Sequence, residues 1–366
     1  IDGLRVASAS AGIAAFEDFP VDQIERIEIV RGPRASLYGS DAIGGVIQIF
    51  TRKGGGPLTP SFSAGGGSHE TYKISGGLSG GGERGWFNLS ASHIDTDGFN
   101  ACRGQPFPPG GGCFTFEPDD DGYLNTSGAA RAGYRFENSA EFEAHLLHAE
   151  AENEFDQGDN PPLFNREFFH NFSDTVQQVI GGKLRFSPLA DWDMTLQGGR
   201  TLNELDSINN PSSTDVFDTE RHSASLQNDV SLDDKHLLTL GFDYYNDVVD
   251  STEEFTLTSR SRDNKAGFAQ YQGAFGNLDW VFGVRQDDNE QFGGATTGNV
   301  ALAYAFDNGL RLTAAWGRAF KAPSFNDLFF PNFGNPNLKP EESESVELGA
   351  SGDHFGLKWS LNGYYT

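Results

Sequence analysis

Two stretches of the chain are rich in side-chain oxygen atoms that could bind a metal ion. They contain the carboxylates and amides of Asp156, Gln157, Asp159, Asn160, Asp206, Asn209, Asp215 and Asp218. Calcium takes about six to eight oxygen ligands, so two adjacent loops of this composition could share one ion. The alternative is that these residues are solvated acidic loop tips. The sequence leaves both interpretations open. For the calcium site, the predicted ligands are Asp156, Asp159, Asp206, Asp215 and Asp218.

Other clusters give weaker chemical signals. Residues 95–98 and 119–122 resemble the start of a calcium loop, but neither is followed by the glutamate that an EF-hand requires. His145 and His148 are three positions apart, and in a strand they would lie on opposite faces. We therefore expect that the protein is not an enzyme.

The two cysteines, Cys102 and Cys113, lie in a stretch rich in glycine and proline. A pair this close in a flexible loop indicates a disulfide bond, which would stabilise the fold by about 2–3 kcal/mol through loop closure. A disulfide implies an oxidising compartment. A metal site is less favoured, because no neighbouring Cys or His completes four ligands.

The elements that would position these residues are strands. From about residue 60 onward, apolar and polar residues alternate, as in Trp192–Gln197, where every second side chain is apolar. We count about fifteen such segments, and tight turns alternate with long connections such as 153–172, 204–218 and 288–297. Short turns on one side and long loops on the other are typical of an outer-membrane β-barrel.

Composition limits the function. The 366 residues include 26 Lys and Arg against 52 Asp and Glu, a formal net charge of −26. This charge argues against nucleic acid as a partner, because binding phosphates needs a basic surface. No run of about 18 apolar residues could form a membrane helix, but a membrane barrel has modest hydropathy because only alternate residues face lipid.

Two motifs carry a resemblance to a known family. Arg31–Arg34 (RGPR) with Tyr38–Val46 (YGSDAIGGV) resembles the end of the plug domain of TonB-dependent outer-membrane transporters. Phe320–Pro323 (FKAP) with Gly334–Glu341 (GNPNLKPE) is similar to a barrel signature of the same receptors. The two motifs occur in the expected order, which makes the resemblance more specific than either motif alone.

The resemblance implies a mainly β protein in the bacterial outer membrane. Residues 1–56 would be the C-terminal part of a small α/β plug, lying in the lumen of a transmembrane antiparallel β-barrel formed by residues 57–366. The barrel would be partial, with about fifteen of the family's roughly 22 strands, and the chain looks like a fragment. The implied partners are membrane lipid and the energy-coupling TonB complex.

The resemblance also suggests roles for individual residues. Plug arginines in the family pair with barrel glutamates, so Arg31 and Arg34 are expected to form a lock with Glu347; ordinary surface charge is the alternative. The loop after Val6 would rise towards the substrate, with Ser8 and Ser10 near the ligand. Aromatic residues of the long loops, Phe164, Phe329 and Phe333, would complete the site.

The predicted substrate is a metal chelate. Lys321 and Tyr38–Asp41 favour a corrinoid such as cobalamin, whose transporters use calcium in the two acidic loops. A ferric siderophore remains the second interpretation. Haem receptors of this family carry a ligand histidine between two similar motifs. No histidine lies between Phe320 and Leu338, so haem is less favoured. A passive channel or an adhesin is a further alternative.

Overall fold

The computed structural model describes residues 1–6, 8–32, 35–100, 119–156, 171–210, 213–252, 261–354 and 356–366. Two strands, β1 (Ile24–Arg31) and β2 (Gly45–Thr51), pair as an antiparallel hairpin with a short helix, α1 (Ala35–Tyr38), between them. Two single-turn 3-10 helices, Phe16–Asp18 and Val21–Gln23, precede the hairpin.

The remaining strands form one antiparallel sheet of fifteen, in sequence order. They are β3 (Thr59–Gly66), β4 (Tyr72–Gly81), β5 (Gly85–Phe99), β6 (Asp121–Arg135), β7 (Glu141–Glu154), β8 (Phe172–Leu189), β9 (Trp192–Asn210), β10 (Ser213–Asp233), β11 (His236–Ser251), β12 (Ser261–Phe275), β13 (Leu278–Asn289), β14 (Gly293–Ala305), β15 (Arg311–Lys321), β16 (Glu341–His354) and β17 (Leu357–Tyr365). A second short helix, α2 (Phe325–Phe329), lies between β15 and β16. Within the residues that the structure describes, no helix is long and apolar enough to cross a membrane. The fifteen strands predicted from alternation are confirmed, and the sheet is open at β3 and β17.

The two faces of the sheet differ as the alternation predicts. Leu196 is 49% exposed on the outer face, whereas the next residue, Gln197, is 8% exposed on the inner face. Other exposed apolar side chains of the outer face are Leu89, Ile180, Phe242, Val284 and Leu302. An apolar outer band of this kind faces lipid in a transmembrane barrel.

The inner face encloses the first fifty residues. Their backbone and side chains hydrogen-bond to inner side chains that come from strands far apart in the sheet: Ser127, Gln177, Gln197, Thr219, Tyr245 and Asn299. A small unit can reach strands from β6 to β14 only if the sheet curves around it. The plug therefore lies in the lumen of a partial barrel.

Two of the predicted long connections are wrong. Residues 204–218 are mostly strand, because β9 and β10 stay paired up to Asn210 and Ser213 and extend beyond the length that crosses a bilayer. Likewise, β13 and β14 pair up to Asn289 and Gly293, which leaves a tight turn in place of a loop from 288 to 297.

Candidate functional site

The loop formed by residues 8–18 lies on the long-loop side of the plug. Its two serines are buried: the Ser8 hydroxyl lies 3.2 Å and the Ser10 hydroxyl 3.0 Å from the hydroxyl of Thr219 on β10. Gln177 on β8 donates a 3.1 Å hydrogen bond to the carbonyl of Ala15. In this structure Ser8 and Ser10 hold the loop against the barrel, so the predicted direct contact with a ligand is not supported.

Helix α2 covers part of this loop. The backbone N–H groups of Phe325 and Asn326 donate to the carbonyls of Ala9 and Ser10, at 3.1 and 2.9 Å. A capping box between Ser324 and Asp327 fixes the start of the helix. The loop from 321 to 341 therefore docks onto the plug by backbone contacts.

The exposed apolar side chains on this side form the candidate binding surface. Ile13 and Phe16 of the plug loop are exposed, and Phe333 is 85% exposed; its contact with a substrate stays a prediction. Phe330 stacks on Phe217, with ring centroids 6.4 Å apart. We call Ile13, Phe16, Phe330 and Phe333 the entrance patch.

The other two predicted aromatic contacts have different outcomes. Phe329 packs against the cluster of Ala9, Val249 and Phe325, so it supports the fold of the loop and is not freely available to a ligand. Phe164 lies outside the described residues. Cys102 and Cys113 also lie outside them, and their disulfide stays a prediction.

At the opposite end of the plug, Arg131 on β6 makes three contacts. It donates to Asp2 at 3.0 Å, to the carbonyl of Thr51 at 2.6 Å and to Glu143 at 2.7 Å. Thr51 in turn donates its hydroxyl to Asp2 at 2.6 Å. The start and the end of the plug are thus held to the barrel at one place.

A further group of charges lies where the plug faces β10–β13. We call it the luminal network, and its members are Arg5, Asp41, Arg221, Asp243, Asp247, Arg262, Arg285 and Asp287. Arg5 pairs with Asp41 and donates to the Ser40 carbonyl at 3.1 Å. Ser40 also meets the hydroxyl of Tyr245 at 3.0 Å.

Within this network, four arginines face four carboxylates. Arg221, Asp247 and Arg262 are direct neighbours across three strands, and Arg221 binds Asp247 through two hydrogen bonds of 2.5 and 2.9 Å. Burial, together with the positive charge of Arg221, lowers the pKa of Arg5 to about 10. At neutral pH Arg5 therefore remains charged and keeps its ion pair with Asp41.

The predicted lock is not formed between Arg31 and Glu347. These two side chains share no ion pair, and the Glu347 carboxylate lies against the backbone of Gly32. Arg31 is exposed at the end of β1. Arg34 lies outside the described residues, so its part in the lock stays a prediction.

The predicted calcium ligands do not come together in the described part of the chain. Asp206 and Asp218 occupy outward positions of β9 and β10, whereas Asp215 occupies an inward position of the same pair. Asp156 follows β7, and Asp159 is not described. No group of three or more Asp, Glu, His or Cys side chains in the described ranges is arranged to hold a metal.

The family models match most of the chain. Residues 106–366 match the TonB dependent receptor-like β-barrel, and residues 1–46 match the TonB-dependent receptor plug domain. The chain belongs to the TonB-dependent receptor family. The resemblance seen in the sequence is thereby confirmed, and the receptor is a protein of the bacterial outer membrane.

Relatives and solved structures agree with this assignment. The chain is 36% identical to the vitamin B12 transporter BtuB of Photobacterium profundum over 370 residues, and 30% identical to that of Vibrio cholerae over 378 residues. Both matches cover all of this chain and 57% of the relative, so the chain spans little more than half their length.

Siderophore receptors share the fold. The receptor PirA of Acinetobacter baumannii superposes with a TM-score of 0.77 at 16% identity, covering 99% of this chain and 60% of PirA. The ferric enterobactin receptor PfeA of Pseudomonas aeruginosa has a TM-score of 0.74 at 20% identity, covering 94% and 59%.

Sequence reasoning missed the residues that fix the plug. Asp2, Arg5 and Arg131 were not singled out, although charged residues at inward positions of alternating strands are a usable signal. This signal is clearest at the inward positions of three adjacent strands, which carry Arg221, Asp247 and Arg262. The motif Tyr38–Asp41, which was interpreted as a sign of the substrate, docks on the barrel wall through the Ser40 hydroxyl, which meets Tyr245, and the Asp41 backbone N–H, which donates to the carbonyl of Phe320.

Proposed function

We propose that the protein is a receptor that imports a corrinoid, with cobalamin as the favoured substrate. The observation that carries this proposal is the 36% identity to a vitamin B12 transporter along the whole chain. The entrance patch of exposed Ile and Phe side chains offers an apolar surface on the long-loop side, where a bulky chelate would arrive. Because the chain covers 57% of that relative, the proposal concerns the receptor that contains it.

The filled lumen supports gated transport over passive diffusion. Inner side chains from β6 to β15 contact the plug, whereas a porin keeps an open water-filled lumen. Substrate binding alone can shift the plug only by its differential affinity for two states. We therefore propose that the TonB complex supplies the energy for moving the plug.

Catalysis is not part of this proposal. Residues 77–81 spell the G-x-S-x-G pattern of a serine nucleophile, but they lie inside strand β4. The nucleophile of that motif needs a sharp turn between a strand and a helix. The matched relatives whose names are given above are transporters and receptors.

A binding titration of the full-length receptor tests the proposal. Cobalamin should bind tightly and saturably, and a ferric siderophore should compete weakly or not at all. Uptake of radiolabelled cobalamin in cells should require both the receptor and the TonB complex. Tight binding of a ferric siderophore without cobalamin binding would instead assign the receptor to the siderophore class.

Calcium is a separate proposal with its own test. Asp206 and Asp218 share one face, where carboxylates crowd together, but the described residues alone do not form a complete site. We infer that calcium, if it binds, requires residues of both acidic stretches. Calorimetry with calcium, before and after Asp206→Asn with Asp218→Asn, measures this directly; unchanged binding would exclude these two ligands.

A further inference from the structure

We propose that the substrate passes the plug along the wall formed by β10–β14, while the plug stays anchored to β6–β8. This inference rests on the proposed transport function. It follows from a difference between the two sides of the plug. The side against β6–β8 combines apolar packing with polar contacts, whereas the side against β10–β14 is held below its rim by polar contacts that water can replace.

The side against β6–β8 is the anchor. Four plug side chains form an apolar cluster with two barrel side chains: Ile1, Leu4, Phe19, Ile49, Leu147 and Val179. Leu4 lies so close to Gly181 on β8 and Gly199 on β9 that neither position has room for a Cβ atom. Next to the cluster, Arg131 binds Asp2 and Thr51.

The side against β10–β14 is polar below its outer rim. The Ser40–Tyr245 contact and the hydrogen bond between Ser36 and Asn299 join the plug to this wall, and the Arg5–Asp41 pair of the plug faces the barrel charges of the luminal network. Apolar contact is found at the rim, where Ala9 meets Val249 and Phe325 of the covering loop. Moving the loop from 321 to 341 away from the plug would expose the polar interface between the plug and β10–β14, which we call the seam.

Buried polar atoms indicate that this seam accommodates water. Five inner side chains of the wall have an atom that is buried and has no hydrogen-bond partner among the described residues: Arg221 Nη1, Arg262 Nε, Asn264 Oδ1, Asn289 Nδ2 and Thr297 Oγ1. Beside the anchor there are four: Arg131 Nε and His145 Nε2 of the barrel, and Asp18 Oδ2 and Gln23 Oε1 of the plug. Buried polar groups of this kind are normally satisfied by ordered water.

The energetic consequence distinguishes the two sides. Parting two apolar surfaces in water costs about 25 cal/mol for each Å² exposed. Charged and hydrogen-bonding groups regain water when they part, so their net cost is much smaller. A pull on the plug is therefore expected to open the β10–β14 side first, with the β6–β8 contacts acting as the pivot.

A cavity of about 250 Å³ beside the anchor does not offer a competing route. It is lined by ten residues, among them Lys53, Glu141 and Arg185, which lie near the tight turns. The apolar cluster at Leu147 and Val179 lies further along the same strands and separates this cavity from the entrance patch.

Two engineered disulfides in the full-length receptor test the route. Ser36→Cys with Asn299→Cys would close the polar seam, because these two side chains are in contact. Leu4→Cys with Val179→Cys would tie the anchor, because both side chains belong to its apolar cluster. Each variant is assayed for cobalamin binding, uptake in cells and gel mobility with and without reductant, which verifies folding and bond formation. The single-cysteine variants are the controls.

The oxidised seam variant is expected to bind cobalamin but to lose uptake, and reduction should restore it. The oxidised anchor variant should keep its uptake. Normal uptake by the oxidised seam variant, or equal loss in both variants, would overturn the proposed route. Failure of the unmodified receptor to bind or import cobalamin would instead refute the proposed function, so the two failures are distinguishable.

Discussion

Asp2 of the plug and Arg131 of β6 form a buried ion pair, with Oδ1 and Nη1 3.0 Å apart and the side chains 2% and 13% exposed. Asp2 belongs to the first turn of the plug, and Arg131 also binds the carbonyl of Thr51 at the end of β2. One arginine of the wall therefore holds two parts of the plug that are distant in sequence.

Replacing this arginine should loosen the plug. Arg131→Leu leaves the carboxylate of Asp2 buried without its ion-pair partner, which typically destabilises a protein by about 3–5 kcal/mol, whereas Glu143 keeps Lys53 at 3.6 Å. We expect a lower unfolding midpoint of the purified receptor and faster proteolysis of the plug. Asp2→Asn combined with Arg131→Leu should cost less than the sum of the single changes, because no unpaired charge remains at Asp2.

Arg135→Leu is the matched control. Arg135 is exposed and pairs with Glu141 at 2.9 Å, so its loss should change stability by no more than about 1 kcal/mol. An Arg131→Leu receptor as stable as the Arg135→Leu receptor would show that the buried pair contributes nothing to plug docking.

The lipid-facing band gives a second prediction. Leu196 lies on the outer face a few residues into β9, near the middle of the bilayer, and Leu189 ends β8 at a tight turn. Leu196→Arg should destabilise the barrel by about 2–4 kcal/mol, and Leu189→Arg by about 0–1 kcal/mol, because the cost of charge falls towards the interface. Unfolding in lipid vesicles measures both, and equal effects would contradict the assigned membrane depth.

The barrel could be predicted because each strand carries its own signal. Leu196 and Gln197 are neighbours in sequence, yet one faces lipid and the other donates to the carbonyl of Asp2 at 3.1 Å. Alternation of this kind needs no knowledge of other strands. The number of strands and the polarity of the turns follow from the same local pattern.

The contacts between plug and barrel could not be predicted in this way. Ser10 and Thr219 are more than two hundred positions apart, and nothing local to either residue indicates that their hydroxyls meet. The acidic stretch around Asp206 and Asp218 looked like a loop because it is polar. It is strand because the pairing of β9 and β10 continues beyond the membrane, where polar residues are tolerated on both faces.

The entrance patch gives a third prediction, which separates binding from folding. Phe333 is 85% exposed, so Phe333→Ala should weaken cobalamin binding and leave the unfolding midpoint unchanged. Phe325, the first residue of α2, is 1% exposed, so Phe325→Ala should cost about 3–5 kcal/mol of stability through the cavity it leaves. Unchanged affinity in Phe333→Ala, measured by titration, would remove that residue from the binding surface.

The outer end of β10 gives a prediction about pH. Burial, together with the negative charges of Glu204 and Asp206, raises the pKa of Asp218 to about 6. Asp218 lies well beyond the roughly 9–11 residues that cross the bilayer from the turn at Asp233. The unfolded chain has a value near 3.9, so between about pH 4 and 6 the folded state binds more protons, and stability falls as the pH rises.

Removing this carboxyl group should therefore stabilise the receptor at neutral pH. Asp218→Asn should unfold at a higher temperature than the unmodified receptor at pH 7, and this difference should shrink as the pH falls towards 4. Glu83→Gln, which removes one carboxylate from the exposed turn between β4 and β5, controls for net charge. Both are measured with a chelator present, because a bound cation would offset the same repulsion. A difference between Asp218→Asn and the unmodified receptor that does not change with pH would show that Asp218 titrates as an ordinary surface carboxyl group.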